Sequence, residues 1–382
     1  MRICVITGSR AEYGLLFPLM KALSVDSFFE LQIIVTGMHL SHEFGNTYKE
    51  IEKDGFYINK KIEILLSSDT SVGIAKTMGL AMISAAECLD DLKPDLVVIL
   101  GDRYESFAIA SVCVVSRIPI AHLHGGEATE GLIDDPFRHS ITKMSHLHFC
   151  ALDEYRNRII QLGENPETVF TVGALGLDNI LNFKLLSKEE IEKKYDFKFL
   201  EKNLLVTFHP VTLENSTASF QFTQLLNAID KLQDTFVIFT KPNSDTDGRV
   251  IISLIDDYVK ENPRKSIGFQ SMGQLNYLST LQFVDMAVGN SSSGLLEVPS
   301  FRKGTVNIGD RQNGRFKPKT VLDCAPSEEE IFNSIQKVYS NEFQTMLSTF
   351  VSPLGDGKAA AKIVNFIKNS KINLKKKFHN IL

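Results

Sequence analysis

At 382 residues the chain is too long for one comfortable hydrophobic core and suits two domains. A hydrophobic content of 43% and a mean hydropathy of -0.02 describe an ordinary soluble globular protein. The net charge of -5 gives no reason to expect nucleic-acid or membrane binding.

The pattern along the chain is strand, turn, helix, repeated. Arg2 to Thr7 reads as a buried strand, so no signal peptide is expected ahead of it. Gly8 turns the chain into a helix from about Glu12 to Leu23. Leu31 to Val35 is the next strand, and Gly73 to Leu92 has helical spacing, ending before Lys93-Pro94. Two hydrophobic runs follow, Leu96 to Leu100 and Ile118 to Leu123. Then come a helix from Phe137 to Met144 and a short strand from His146 to Ala151.

Near Val172 to Leu177 the pattern resets. Ser187 to Lys202 reads as a charged surface helix. Strands return at Leu204 to Phe208, Phe236 to Thr240, Phe283 to Val288 and Gly304 to Ile308. The expected architecture is therefore α/β, with two doubly wound, Rossmann-like domains facing a cleft. The expected spans are 1–172 for the first domain and 173–355 for the second. A last amphipathic helix, Asp356 to Asn369, lies in the segment 356–382 and is expected to pack back on the first domain. The lysine-rich tail after it reads as a solvated end. No apolar run looks long enough to span a bilayer.

Chemistry concentrates between Leu100 and His139. The first hydrophobic run delivers Gly101, Asp102 and Arg103; the second delivers His124, Gly125, Gly126 and Glu127, with Asp134 and Asp135 shortly after. Ligands of open parallel sheets sit beyond the carboxyl ends of the strands, so adjacent strands aim these groups at one crevice. Several carboxylates and histidines together are equipped to move protons. Five of the nine histidines (His122, His124, His139, His146, His148) fall here. Their spacing matches no common metal motif, so core histidines with one or two at the site are expected, and no metal. The cysteines Cys4, Cys88, Cys113, Cys150 and Cys324 show no CxxC spacing. They read as reduced residues of a cytoplasmic protein.

Three further segments can meet an anionic ligand. GNSSSG, Gly289 to Gly294, follows a strand and precedes a helical LLEV. Free backbone N–H groups and the hydroxyls of Ser291, Ser292 and Ser293 suit phosphate there, although a plain serine cap would look the same. Glu297, one turn on, is placed to accept from ribose hydroxyls or to complement the helix dipole. GSRAEYG, Gly8 to Gly14, lacks the dinucleotide spacing but offers Arg10, whose guanidinium forks onto two phosphate oxygens. HPVT places His209 at a strand end as an acid, a base or a phosphate donor. Asn243 in KPNSD and Arg311 in GDRQNGR lie beyond other strands. Two phosphate-compatible helix starts in two domains suggest a diphosphate.

Taken in order, GSRAEYG, GDRYES, HLHGGEATEG, DDPFRHSITK, HPVT, GNSSSG and GDRQNGR resemble the hydrolysing UDP-N-acetylglucosamine 2-epimerase family, from residue 1 to about residue 320. The family is similar in fold to two-domain GT-B glycosyltransferases. The resemblance implies release of UDP and N-acetylmannosamine, usually to feed sialic acid synthesis. Close relatives act instead on a 2,4-diacetamido-trideoxy sugar on the route to legionaminic acid. It implies acid/base roles for Asp102 and Asp134, a cleft role for His209, and positions near UDP for Arg10, Asn243, Ser291, Ser292, Glu297 and Arg311. The chain departs from the family at His124, where members often carry a carboxylate. Glu127, three residues on, is the substitute acid, which leaves the second proton-transfer group open.

The chemistry gives these parts a use. UDP leaves C1 as the C2 proton is removed, giving an unsaturated glycal; water then adds at C1 and a proton returns to C2 from the opposite face. Asp102, Glu127, Asp134 and His209 are the candidate acids and bases. Arg10, Arg103, His124 and the serine loop are candidate substrate contacts. No hydride acceptor, metal or other cofactor is required. A GT-B glycosyltransferase, an inert UDP-sugar sensor and a non-hydrolysing epimerase are the competing readings. The expected partner is the UDP-sugar itself, with a homodimer or homotetramer as the assembly.

Overall fold

A computed structural model describes residues 1–42, 44–66, 70–128, 134–210, 218–242, 248–270 and 272–381. The chain divides into two compact units, residues 1–182 with 354–382, and residues 183–353. The first unit therefore runs ten residues past the expected boundary at 172, because the helix Gly176–Asn182 belongs to it.

In the first unit the strands are β1 (Arg2–Thr7), β2 (Glu30–Thr36), β3 (Lys60–Ile62), β4 (Leu96–Leu100), β5 (Ile120–Leu123), β6 (Leu147–Cys150) and β7 (Val169–Thr171). They form one parallel sheet in the order β3-β2-β1-β4-β5-β6-β7. Its strands are apolar on both sides because helices cover both faces. On one face Leu16, Leu19, Leu23 and Ile363 join Val5, Val98 and Leu123; on the other Ala81, Ala85, Ile109 and Cys113 join Cys4, Val97 and Ile99.

The second unit contains β8 (Lys202–Thr207), β9 (Thr235–Thr240), β10 (Ser266–Phe269), β11 (Met286–Gly289), β12 (Gly304–Ile308) and β13 (Val321–Cys324). Its parallel order is β10-β9-β8-β11-β12-β13. Each sheet thus reverses its winding once: between β1 and β4 in the first unit, between β8 and β11 in the second. The reversal splays the following loops apart and leaves a crevice at the strand ends. Those ends carry Gly8 and Gly101 in the first unit, and Phe208 and Asn290 in the second.

Residues 354–382 return to the first unit. The helix Ala359–Asn369 starts on the Asp178 carboxylate, which accepts from the backbone N–H of Ala359 at 2.9 Å and of Ala360 at 2.7 Å. That satisfies two of the orphan donors of a helix start. Farther on, Phe366 stacks on Phe170 with ring centroids 4.2 Å apart.

The lysine-rich tail is exposed along most of its length but is anchored rather than free. The Lys376 ammonium donates to the Lys143 carbonyl at 2.8 Å and to the Ser145 carbonyl, and pairs with Glu164 at 2.7 Å. The His379 N–H donates to the Gly163 carbonyl at 2.9 Å. Charge composition suggested a free tail, but a lysine can satisfy exposed carbonyls at the end of a helix.

Among the described residues one helix, Ser71–Leu92, is long and apolar enough to cross a membrane by length and composition, contrary to the expectation that no run was. It is a covering helix of the sheet, with Thr77, Ala81, Ala85 and Leu89 buried, and a core helix passes the same test.

Candidate active site

At the end of β4, Gly101 takes a left-handed φ of 74° and turns Asp102 out of the sheet. His122, on the neighbouring β5, holds that turn. Its Nε2 lies 2.7 Å from the Gly101 carbonyl, which can only accept, so Nε2 carries the proton. Nδ1 then accepts from the Thr142 hydroxyl at 3.1 Å. Burial pushes His122 down to about 3, so it is a neutral strut for the turn.

Asp102 accepts from Nη2 of Arg138, in the helix Asp134–Met144. Nη1 of the same guanidinium donates to the Glu127 carbonyl at 3.0 Å and to Asp135 at 3.2 Å. The Arg138 side chain is only 5% exposed, so these charge-assisted bonds form where water competes weakly. Asp134 opens the same helix. Its carboxyl is raised by burial and next by the charge of Asp102. One carboxylate thus has a guanidinium partner while its neighbour is biased toward the protonated form, the asymmetry an acid/base pair needs.

His124, just past β5, has a left-handed φ of 59°, uncommon for a residue with a side chain. Nε2 accepts from the Leu175 N–H at 3.4 Å. Nδ1, carrying the proton, faces Glu127 at 2.8 Å. His124 and Glu127 therefore form a dyad across the Gly125-Gly126 turn. Gly126 permits the turn between them: a Cβ there would lie 2.4 Å from the Tyr155 carbonyl.

The helix start at GSRAEYG is closed by its own side chains. Glu12 accepts from Gly8 N–H at 2.6 Å and Ser9 N–H at 3.1 Å, and Ser9 accepts from Glu12 N–H at 3.3 Å. This capping box occupies donors that a phosphate was expected to use. Arg10 remains exposed, paired with Glu50 at 3.1 Å. Beneath it Glu12 is raised to about 7 by burial and then by Glu105. The Arg103 Nε lies 2.5 Å from Glu105.

In the second unit the switch point is organised by Asn290, a fully buried residue. Its Oδ1 accepts from His209 N–H at 2.7 Å and its Nδ2 donates to the His209 carbonyl at 2.8 Å. Its own carbonyl accepts from Arg311 at 3.0 Å and Gln312 at 2.7 Å. One side chain and one peptide therefore tie together the ends of β8, β11 and β12. Gly289 allows it: a Cβ there would meet the Thr207 carbonyl at 2.0 Å. Burial, then the Arg311 charge, lowers His209 to about 4, so it is neutral at pH 7.

The serine loop differs from the expected helix start. The helix Ser293–Leu296 is a single turn, too short to sum a large dipole. Ser293 is engaged with the Tyr277 hydroxyl at 2.6 Å, and Ser291 accepts from Ser293 N–H at 3.3 Å. Ser292 is half-buried. Glu297 is raised by burial. Asn243 lies outside the described residues.

Of the five histidines, His122 and His148 are core residues; His148 lies 3.0 Å from Glu164. His139 faces Asp135 at 3.3 Å, and His146 accepts from Ile120 N–H at 3.3 Å. The sequence reading missed Arg138 and Asn290. Arg138 was detectable as the cation one turn into the helix opened by Asp134-Asp135, and Asn290 as the polar residue following the strand-end glycine.

Two Rossmann-like domains, each with its polar groups at the switch point, are the class this chain defines. The fold matches a solved UDP-GlcNAc 2-epimerase from Neisseria meningitidis, bound to UDP-GlcNAc, with a TM-score of 0.83 over 97% of this chain and all of that one, at 16% identity. The chain belongs to the UDP-N-acetylglucosamine 2-epimerase family, whose model matches residues 21–368. It is 43% identical over 343 residues (90% of this chain, 88% of the other) to the GDP/UDP-N,N'-diacetylbacillosamine 2-epimerase (hydrolyzing) of Campylobacter jejuni subsp. jejuni serotype O:2. It is 37% identical over 369 residues (96% and 94%) to the polysialic acid biosynthesis protein P7 of Escherichia coli.

Proposed function

We propose that this protein is a hydrolysing 2-epimerase whose substrate is UDP-N,N'-diacetylbacillosamine, the 2,4-diacetamido-trideoxy sugar. The observation that carries the choice of sugar is the 43% identity to the Campylobacter jejuni enzyme across nine-tenths of the chain. This reverses the order of the two sugars expected from the motifs. The 37% identity to the polysialic acid protein favours UDP-N-acetylglucosamine as a second reading.

Asp102, paired with the Arg138 guanidinium, is the group suited to take a proton from C2. Asp134, raised by burial and by Asp102, is suited to hold one. The His124–Glu127 dyad offers a second proton path for the opposite face. Neutral His209 and Arg311, fixed through Asn290, are suited to the leaving diphosphate, with Arg10 as a further cation. Ser291, Ser292, Ser293, Glu297, Arg103 and Asn243 keep the binding roles assigned from sequence. C1–O cleavage expels UDP as the C2 proton is taken. Hydration of the glycal, with a proton returned to the other face of C2, gives the epimerised free sugar.

The test is product NMR in D2O without an acceptor, offering UDP-linked and GDP-linked diacetylbacillosamine and UDP-N-acetylglucosamine. The expected result is free UDP and a C2-inverted sugar carrying deuterium at C2, formed fastest from the diacetamido substrate. A product that keeps its original C2 hydrogen would sink the mechanism. Preference for UDP-N-acetylglucosamine would select the second reading.

A further inference from the structure

A base and an acid can sit side by side only if something sets which is which. Asp102 and Asp134 are close enough for the charge of one to raise the other. Two identical carboxyl groups in such contact share a proton without a fixed owner. The surroundings break the tie. Arg138 donates Nη2 to Asp102, and its Nη1 goes to the Glu127 carbonyl at 3.0 Å and to Asp135 at 3.2 Å.

The other charged and titratable groups facing Asp102 do not supply the same bias. From its own loop Arg103 is neutralised by Glu105, 2.5 Å away at the start of the helix Tyr104–Val115. From β5, His122 holds the Gly101 carbonyl at 2.7 Å as a neutral ring. From the helix Asp134–Met144 come Asp134, which is like-charged when ionised, and Asp135, which also accepts from Arg138. Glu12 acts on the Arg103–Glu105 pair from behind.

We infer that Arg138 is the positioning residue that divides the work of the two carboxylates, fixing Asp102 as the base that accepts the C2 proton and leaving Asp134 as the acid. Because Nη1 also grips the Glu127 peptide, the same guanidinium sets the carboxylate of the His124–Glu127 dyad in register with Asp102. The inference rests on the hydrolysing-epimerase reading above.

The experiment is the pH dependence of kcat/KM for R138M, R138Q and R138K, beside the wild type, with thermal melts as a check of folding. Asp102 must be ionised to act as base. Loss of a cation beside the base disfavours the ionised form, so the acid limb of the profile moves to higher pH. The expected shift in R138M or R138Q is about 1–3 pH units, the range an adjacent arginine produces at an aspartate. R138K restores the charge but not the fork. Its limb should return toward the wild-type position while kcat stays reduced. A purely structural role would lower kcat in all three variants and leave the limb in place.

A folded neutral variant whose limb coincides with the wild type overturns the proposal. If neither neutral variant folds, a lysine variant whose limb departs from the wild type by a full unit overturns it equally. Deuterium incorporation at C2 by the wild type, measured in parallel, separates the two failures. Incorporation with unmoved limbs removes only Arg138; no incorporation removes the epimerase reading itself.

Discussion

Replacing Asn290 by alanine tests whether the second unit's switch point is held together by one side chain. The substitution deletes the bond accepting from His209 N–H at 2.7 Å and the bond donating to its carbonyl at 2.8 Å. Each unsatisfied peptide group costs about 1–3 kcal/mol when buried. His209 is only partly buried, so water repairs some of this, and about 2–4 kcal/mol is the expected loss. The Asn290 carbonyl survives, so Arg311 and Gln312 keep their anchor. At about 2–4 °C per kcal/mol for a unit of this size, the melting temperature should fall by about 4–16 °C. The chain has no tryptophan, so circular dichroism is the probe. Asn290→Asp keeps the acceptor but sets a carboxylate against the His209 carbonyl at a fully buried site, and should lose at least as much as alanine. UDP affinity by calorimetry should drop in both, since His209 is no longer fixed. A Tm within a degree of wild type together with unchanged UDP affinity would refute the reasoning.

Asp102→Asn should lower kcat by about 10²–10⁴-fold, the scale of a lost general base, while calorimetry shows UDP still bound; near-normal turnover would remove Asp102 from the mechanism. Arg10→Ala breaks only an exposed pair with Glu50, worth about 0–1 kcal/mol, so the melt should barely move. UDP affinity should nonetheless weaken about ten- to hundredfold if Arg10 meets the diphosphate, and an unchanged affinity would restrict it to its Glu50 pair. Stability should fall on acidification between about pH 6.5 and 4. Burial holds His39, His146 and His209 at about 4 and His122 at about 3. The unfolded chain protonates them near about 6.5, so below that pH it binds more protons than the native state. Fully enclosed His122 alone contributes up to about 1.4 kcal/mol per pH unit; Glu12, raised to about 7, opposes, as do Asp134, Asp178 and Glu297, which are also raised. A urea midpoint at pH 5 equal to or above that at pH 7 would contradict this balance.

The strands that sit centrally were legible because burial on both faces makes them continuous apolar runs. Arg2–Thr7 and Gly304–Ile308 have the bounds their residues suggested. The edge strands Lys60–Ile62, Val169–Thr171, Ser266–Phe269 and Val321–Cys324 are short, and carry no pattern that separates them from loop. The charged stretch from Ser187 is helical only over Lys188–Tyr195; left-handed Asp196 ends it. The first helix starts at Arg10 rather than Glu12, because Ser9 and Glu12 form a capping box whose signature is readable three residues apart. At the candidate site, strand-end position exposed Asp102, His124 and His209. Arg138 and Asn290 escaped because their work is to hold other chain segments: their positions are visible in the sequence, but their partners are known only once the chain is folded.

The Asp178 carboxylate waits for Ala359 and Ala360 across nearly half the chain. During synthesis, every residue of the second unit leaves the ribosome before those two do. The second sheet has all six of its strands while the first still exposes the apolar stripe that Ile363 and Ile367 will cover. The order of folding is therefore inverted relative to the order of translation: the unit begun first is completed last. Chaperone demand should fall on the N-terminal half for as long as the inserted unit is being made.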